Sequence, residues 1–569
     1  MKPVDRDLAD ELAFELEIPR AVANVCVGRG LDSVEKVKDF CELGTNRLHS
    51  PWTLPDIKPV VARIVQAIEA KEKIFVHGDY DVDGVTATAV VVTALRMFNA
   101  DISYHVPHRI QDGYDIKPAS VDRAKAAGAT LMLSVDCGIV AFEAAEYAKE
   151  IGMDLIITDH HHPSDDGRVP DCIGVVNPNR HDSQYPFPGL AGVGIAFKVM
   201  LAVGLKLKYP ARDLLEELVE YVALGTVADV APMIDENRSL VSLGCAKLTD
   251  SKKAGVKELL KVAGVNNVTT MSIGFSLGPR INAVGRLADS GTALDLLLEK
   301  SERRAKFLAE QLNSANHRRQ MQQEQVVKEA LAMVPDDLSD TSILVIGAKG
   351  WHPGLVGLVA GKLAENYGRP ALVCTIKDDG TAKGSCRSIR SFNILEALKS
   401  PGCWNLFTKC GGHAFAAGFE LPAKNLDLLR EKLNEYAKQV TDGGIEGVRV
   451  IEIDSRIQPG EINDATFKEI ARLAPFGSDN PEPMFIAKNM QIVKAEAKGA
   501  EGKHLKMRLK GPKPADPWVE AMAWRRGSDI ETFCEGASVD VVFKLNKEEW
   551  QGRINLSMTV EDLRISQKS

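Results

Sequence analysis

Apolar residues along this chain change their spacing several times, and the changes divide it. Residues 1–50 carry Leu, Val and Phe at helical spacing, broken at Gly28, Gly30 and Gly44, and read as a helical segment with no visible chemistry. From Ile74 short apolar runs alternate with helical stretches. Strands are predicted over 74–79, 102–107, 130–136, 155–159 and 173–177, with helices between them, notably over 118–127 and 140–151. This alternation predicts an α/β fold with a mostly parallel sheet and helices on its faces. Leu190 to Leu207 reads as a buried helix interrupted by Lys198, too short and too polar to cross a bilayer. A helix from Leu214 to Leu224 runs into GTVADVAP and puts Asp229 on a tight turn. Residues 294–332 form a long polar helical stretch, apolar-poor between Asn313 and Gln320. It fits a helix that bridges two domains, able to span nearly 60 Å at ~1.5 Å per residue. A second α/β unit starts at Ile343, and after Asp442-Gly443-Gly444 the pattern turns to short β runs. The expected divisions are therefore 1–50, 51–293, 294–332, 333–442 and 445–569.

Composition narrows the class of protein. The 569 residues are 45% hydrophobic and 26% charged, ordinary values for a soluble globular chain. Ten cysteines occur without a C-x-x-C pair, so neither a zinc knuckle nor a disulfide framework is expected; reduced thiols and a cytoplasmic location are. The acidic start, MKPVDRDLADELAF, has no signal-peptide core. A net charge of −8 does not advertise nucleic-acid binding, which would have to come from local basic patches. One such patch is HLKMRLK (504–510): Lys506, Arg508 and Lys510 share one face of an alternating strand, with Trp518, Trp524, Phe543 and Trp550 near in sequence. A solubilising surface strand is the plain alternative; a single-strand-binding β-barrel is the functional one.

The candidate chemistry gathers at strand ends. The first strand runs into IFVHGDYDVDG (74–84), with His77, Asp79, Asp81 and Asp83. Carboxylates this close repel one another and cannot be buried unpaired, and a divalent cation removes both problems. A solvated acidic turn ahead of a helix is the bland reading. The second strand runs into Arg109, the third ends at Asp136, the fourth at Asp159-His160-His161 and the fifth at Asn177. Asp136 alone could be a helix cap, and DHHHP alone a solvent loop. Together they line the carboxyl rim of one parallel sheet, where ligands bind in such folds. Further along, Arg280 lies in LGPRINAVGRL, read as a loop able to approach a phosphate backbone, with a structural Arg cluster the equal alternative from pattern alone. WHPG (351–354), Ser385 and Arg387 in GSCRS, and Gly411, Gly412 and His413 in GGHAFAAGF are Gly-turn elements suited to gripping phosphate.

HGDYDVDG, SVDCG, TDHHHP, GTVADV, LGPRINAVGRL, WHPGLVGLVAGKL, GSCRS, CGGHAFAAGFEL and PFGSDNPEP, in this order and spacing, resemble the RecJ family of single-stranded-DNA-specific exonucleases in the DHH phosphoesterase superfamily. The resemblance covers nearly the whole chain. It implies a parallel-sheet DHH catalytic domain, a linker helix, a smaller α/β DHH-associated domain and a C-terminal OB-like barrel. It implies a 5′→3′ exonuclease that uses two Mn²⁺ or Mg²⁺ ions to degrade single-stranded DNA to mononucleotides in repair and recombination. By motif position Asp81, Asp83, Asp136, His160 and Asp229 would hold the metals, with His77 and Asp79 in or next to the ligand set. His161 would face the scissile phosphate, within a catalytic group that includes Asp136 and Asp159. Arg109, Arg280, Ser385, Arg387, His413, Gly411 and Gly412 would bind substrate. The family also implies a monomer that works with single-strand-binding protein and a helicase, away from membranes. A pyrophosphatase or polyphosphatase on the same metal core, and a scaffold that has lost its ligands, are the rival readings.

Overall fold

The computed structural model describes residues 4–108, 112–113, 115–287, 291–441, 444–445, 447, 450–550 and 553–566. The first sheet is built from β1 (Lys73–His77), β2 (Asp101–His105), β3 (Leu131–Val135), β4 (Asp154–Thr158) and β5 (Gly174–Val176). All pairs are parallel, in the order β2-β1-β3-β4-β5. The strand order reverses between β1 and β3, and the crevice at such a reversal is where a doubly wound sheet takes its ligand. Side chains alternate across the sheet. Ile74, Val76, Leu133 and Ile156 enter a large core with the Val82–Met97 and Gly192–Lys206 helices, while Phe75, Met132, Leu155 and Ile157 enter a smaller one. Both helices are buried almost all round, because their Gly, Ala and Val residues let neighbours approach closely. Lys198, buried with them, is paired with Glu236 at 2.6 Å, the kind of partner a buried amine needs.

The predicted bridge is shorter than the pattern implied. A helix at Gly291–Leu298 packs into the first core, Ser301 caps a new start, and the linking helix is Glu302–Ala332. Its 31 residues span about 46 Å. Beyond it stands a second sheet of β6 (Leu344–Lys349), β7 (Ala371–Ile376), β8 (Thr381–Arg387), β9 (Lys409–His413) and β10 (Ala416–Pro422), in the order β6-β7-β8-β10-β9. GSCRS is thus part of a strand and GGHAFAAGF a hairpin, not free Gly turns. LGPRINAVGRL is likewise a helix, Gly278–Leu287, entered through a wider π-type turn at Ile273–Leu277.

The C-terminal unit contains β11 (Ser455–Arg456), β12 (Phe485–Lys498), β13 (His504–Lys510), β14 (Trp518–Ala523), β15 (Ser538–Trp550) and β16 (Arg553–Ile565). Pairing of β12 with β15 closes it into a barrel. Its core contains more than barrel residues. Leu12, Val22, Val25 and Val37, from the helices Arg6–Glu15, Arg20–Gly28 and Val34–Cys41, are buried in one cluster with Phe485, Leu505, Val541 and Phe543. The two ends of the chain therefore fold as one body. Arg238 pins that body to the first domain: buried against the Phe40 ring, it donates to the carbonyls of Phe40, Leu473, Ala474 and Pro475.

Candidate metal centre and nucleic-acid surface

Three sets of side chains at the carboxyl rim approach closely enough to share a cation. They are Asp79 with Asp81 and Asp136, Asp83 with His160 and Asp229, and Asp136 with His160 and His161, the ligand atoms of each set lying within 4.8 Å. Asp136 belongs to two sets and so sits between them. Asp79 and Asp81 follow β1, and Asp81 also caps the Val82–Met97 helix through Gly84 N. Asp83 lies in that helix's first turn, and its oxygens accept from Gly192 N at 2.7 Å and Val193 N at 2.9 Å. Those amides open the Gly192–Lys206 helix, a partnership the sequence reading missed; the small residues of LAGVG (190–194) were its only trace. A side chain at Gly192 would meet Asp136 Oδ1 at 2.3 Å. Asp136 leaves β3 at φ +63°, an unfavourable backbone for a non-glycine residue. Asp229 caps the Ala211–Ala228 helix, which runs further than the pattern indicated. The next residue, Val230, is β-branched at φ +62° and exposed. Met233 N, just beyond, donates to Ser478 O at 2.7 Å, so the C-terminal segment holds the loop that carries Asp229.

The electrostatics favour a cation here. His160 Nε2 stands 3.3 Å from Asp136 Oδ1 and 3.9 Å from Asp83, with its Nδ1 3.9 Å from Asp229. Among the described residues no lysine or arginine pairs with Asp83, Asp136 or Asp229. Burial first, and then the charges of neighbouring carboxylates, pushes Asp83 up to about 7 and Asp229 up to about 8, and holds Asp136 well above the carboxylate range. Burial also keeps His160 neutral, down to about 4, the state in which imidazole is a ligand. Asp136 Oδ1 is buried and makes no hydrogen bond. A buried carboxyl oxygen left unbonded among other acids fits a hard divalent ion, and a set mainly of oxygen with one or two imidazoles suits Mn²⁺ or Mg²⁺.

The other predicted site residues have different places. Asp159 is in none of the three sets. It accepts from Ile139 N, His160 N, His161 N and, at 2.7 Å, His161 Nδ1. Burial works against a charged His161, but the Asp159 carboxylate outweighs it and carries the imidazole up to about 9. Asn177 and Asn179 brace the same turn by donating to the carbonyls of His161 and His160. His77 is also outside the three sets: it is buried, lies near His105 with ring centroids 6.0 Å apart, and burial lowers it to about 3. Arg109 lies outside the described residues. Arg280 is a joint between helices, donating to Asn313 Oδ1, Ser276 O and Val262 O.

In the second sheet the strand register puts the remaining residues side by side. Arg387 stands across from Ala416, which stands across from His413; Ser385 stands across from Gly418, which stands across from Gly411. Directly opposed residues share a face, so the two motifs form one surface of Ser, Arg and His floored by glycine. Arg387 donates to Ser385 Oγ at 3.1 Å, and Gly357, near the start of the Pro353–Tyr367 helix, lies against Ser385. Gly412 has φ +150° and packs against Ala416 and Ala417. On the barrel, Lys506, Arg508 and Lys510 do share a face, and Trp518 and Trp524 are exposed near it, while Phe543 is core.

Comparison with known proteins accords with these three units. The DHH family N-terminal domain matches residues 73–226, the DHHA1 domain 340–439 and the RecJ OB domain 453–562. The chain is 34% identical to the single-stranded-DNA-specific exonuclease RecJ of Bacillus subtilis, over 99% of this chain and 70% of that protein. It is 32% identical to RecJ of Salmonella typhimurium, over 98% of each. A crystal structure of RecJ in complex with Mn²⁺ from Thermus thermophilus superposes with a TM-score of 0.82 at 29% identity, covering all of this chain and 79% of that one. No described helix is long and apolar enough to cross a membrane. The chain belongs to the RecJ family of single-stranded-DNA-specific exonucleases.

Proposed function

We propose that this protein is a metal-dependent exonuclease that degrades single-stranded DNA from its 5′ end to mononucleotides. The observation that carries this reading is Asp136, shared between two ligand sets at the ends of adjacent parallel strands. Asp79, Asp81 and Asp136 would hold one ion, and Asp83, His160 and Asp229, with Asp136, the other. When bound, the pair supplies Lewis-acid activation of water and charge neutralisation at the phosphate. The chain does the rest. Asp159 holds His161 protonated, so its Nε2–H can donate to an oxygen of the scissile phosphate. Ser385, Arg387 and the Gly411-Gly412-His413 surface grip the terminal phosphate and set the polarity, and the barrel holds the strand behind it. A role in repair and recombination, with single-strand-binding protein and a helicase as partners in the cytoplasm, belongs to the same proposal. The test is digestion of 5′- and 3′-labelled oligonucleotides, single- and double-stranded, with Mn²⁺ or Mg²⁺. Early release of the 5′ label as mononucleotide from single strands is expected. Release of the 3′ label first overturns the polarity, and equal attack on duplex overturns the strand preference.

A further inference from the structure

The outer face of the barrel is less basic than its sequence. Lys494 and Glu496 of β12 stand across from Arg508 and Lys506 of β13, and Lys498 across from His504. Lys510, Arg508 and Lys506 stand in turn across from Trp518, Glu520 and Met522 of β14. The face thus carries the cations Lys494, Lys498, Lys506, Arg508 and Lys510. All but Lys510 are already engaged among the described residues. Glu520 accepts from Arg508 Nε at 2.9 Å and Nη2 at 2.8 Å, and lies 3.3 Å from Lys506 Nζ. Glu496 bridges Lys494 and Lys498 in the same way, 2.8 Å from the latter. Each carboxylate sits between two cations, Glu520 between Lys506 and Arg508 two residues apart and Glu496 between Lys494 and Lys498 four apart, the place a phosphate oxygen takes when a strand lies along the sheet.

Two indoles flank this array. Trp518 is 56% and Trp524 54% exposed, although large apolar side chains gain from burial. The Arg508 guanidinium lies 4.3 Å from the Trp518 ring, and His504 meets Trp524 edge-on with centroids 4.8 Å apart. Six positions apart, at the first residue of β14 and just past its last, the indoles are about 20 Å from each other, a span suited to several nucleotides. Each ring is steadied by a cationic or imidazole neighbour and open to solvent.

We propose that this face is a single-strand track occupied in advance by its own carboxylates. Glu496 and Glu520 act as internal phosphate mimics that yield Lys494, Lys498, Lys506 and Arg508 to the backbone of the strand, while Trp518 and Trp524 stack its bases. The proposal rests on the single-strand reading above and deepens it. Binding exchanges a carboxylate for a phosphate at each cation, so the net gain per contact is small and few counterions are released. A strand so held can slip forward each time a nucleotide is removed.

The test uses the full chain in chelator, so that nothing is cleaved, and a labelled oligodeoxythymidylate across a salt series. Glu496→Gln with Glu520→Gln should tighten binding about tenfold and steepen the log–log slope by roughly 0.7 for each cation released. Trp518→Ala and Trp524→Ala should each weaken binding roughly five- to hundredfold with little change of slope. Unchanged or weaker binding in the Glu→Gln pair overturns the mimicry, and a gain cannot come from misfolding. Unchanged binding in both Trp variants, with wild-type thermal melts, overturns the track. Digestion by the wild type tests the exonuclease reading separately: with digestion intact and the variants silent, only this inference fails.

Discussion

Replacing Asp136 by asparagine separates two quantities that the wild type couples. The carboxylate serves both cation sets, so hydrolysis should fall by several orders of magnitude. In chelator the same change removes a buried acid whose charged form is opposed first by burial and then by its acidic neighbours. The metal-free variant should therefore melt above the metal-free wild type, by a few degrees for each kcal/mol relieved, and should gain less from added Mn²⁺. A lower melting temperature in chelator would show that Asp136 is not strained by charge. On the second sheet, Arg387→Ala should lower kcat/KM for 5′-phosphorylated strands ten- to hundredfold relative to 5′-hydroxyl strands, the loss of about 1.5–3 kcal/mol of charge-assisted bonding; an unchanged ratio removes Arg387 from the terminal-phosphate site. The carboxylates themselves were legible in the sequence, because several acids at strand ends make an unusual pattern. Their division of labour was not. Asp159, expected in the catalytic group, acts through its neighbours: its oxygens are taken by Ile139, His160 and His161, and no local pattern records where an amide twenty residues away will point.

Among the elements, the start of the Gly192–Lys206 helix does more than pack. Its first amides hold Asp83, and the missing side chain at Gly192 leaves room for Asp136. Gly192→Ala should displace the shared carboxylate by about 1 Å and cost roughly hundredfold in kcat, with Mn²⁺ affinity lowered and the fold retained. Near-normal turnover in this variant would mean that the helix can retreat. The strands of the first sheet were legible within a residue or two, since apolar runs between helical stretches have a strong period. Elements named by glycine were not: GSCRS lies in β8 and LGPRINAVGRL in a helix. Glycine there serves close packing, as where Gly384 meets Val373, Cys374 and Phe419, and sequence alone does not separate that use from a turn.

For the whole molecule, the consequential finding is that residues 6–41 complete the barrel core. Deleting 445–569 alone would strip Leu12, Val22 and Val25 of their cover, so a chain of residues 1–444 should aggregate. A chain of residues 49–441 should fold, bind Mn²⁺ and cut very short oligonucleotides, while long strands are bound more weakly and with a flatter salt dependence. Equal loss on short and long substrates would indicate that the Ser478 contact to Met233 is needed to hold Asp229 in place. This pairing of the chain's ends was invisible in sequence because helical periodicity shows that a face is apolar without showing what covers it. It also sets an order in time. The helices at 6–41 leave the ribosome before any strand of the barrel exists, and their partner starts at Ser455. At ~5–20 residues per second, synthesis of the intervening chain takes roughly 20–90 s. For that interval the apolar stripe of these helices has no native cover, and a cell making this protein must shield it or risk losing the growing chain.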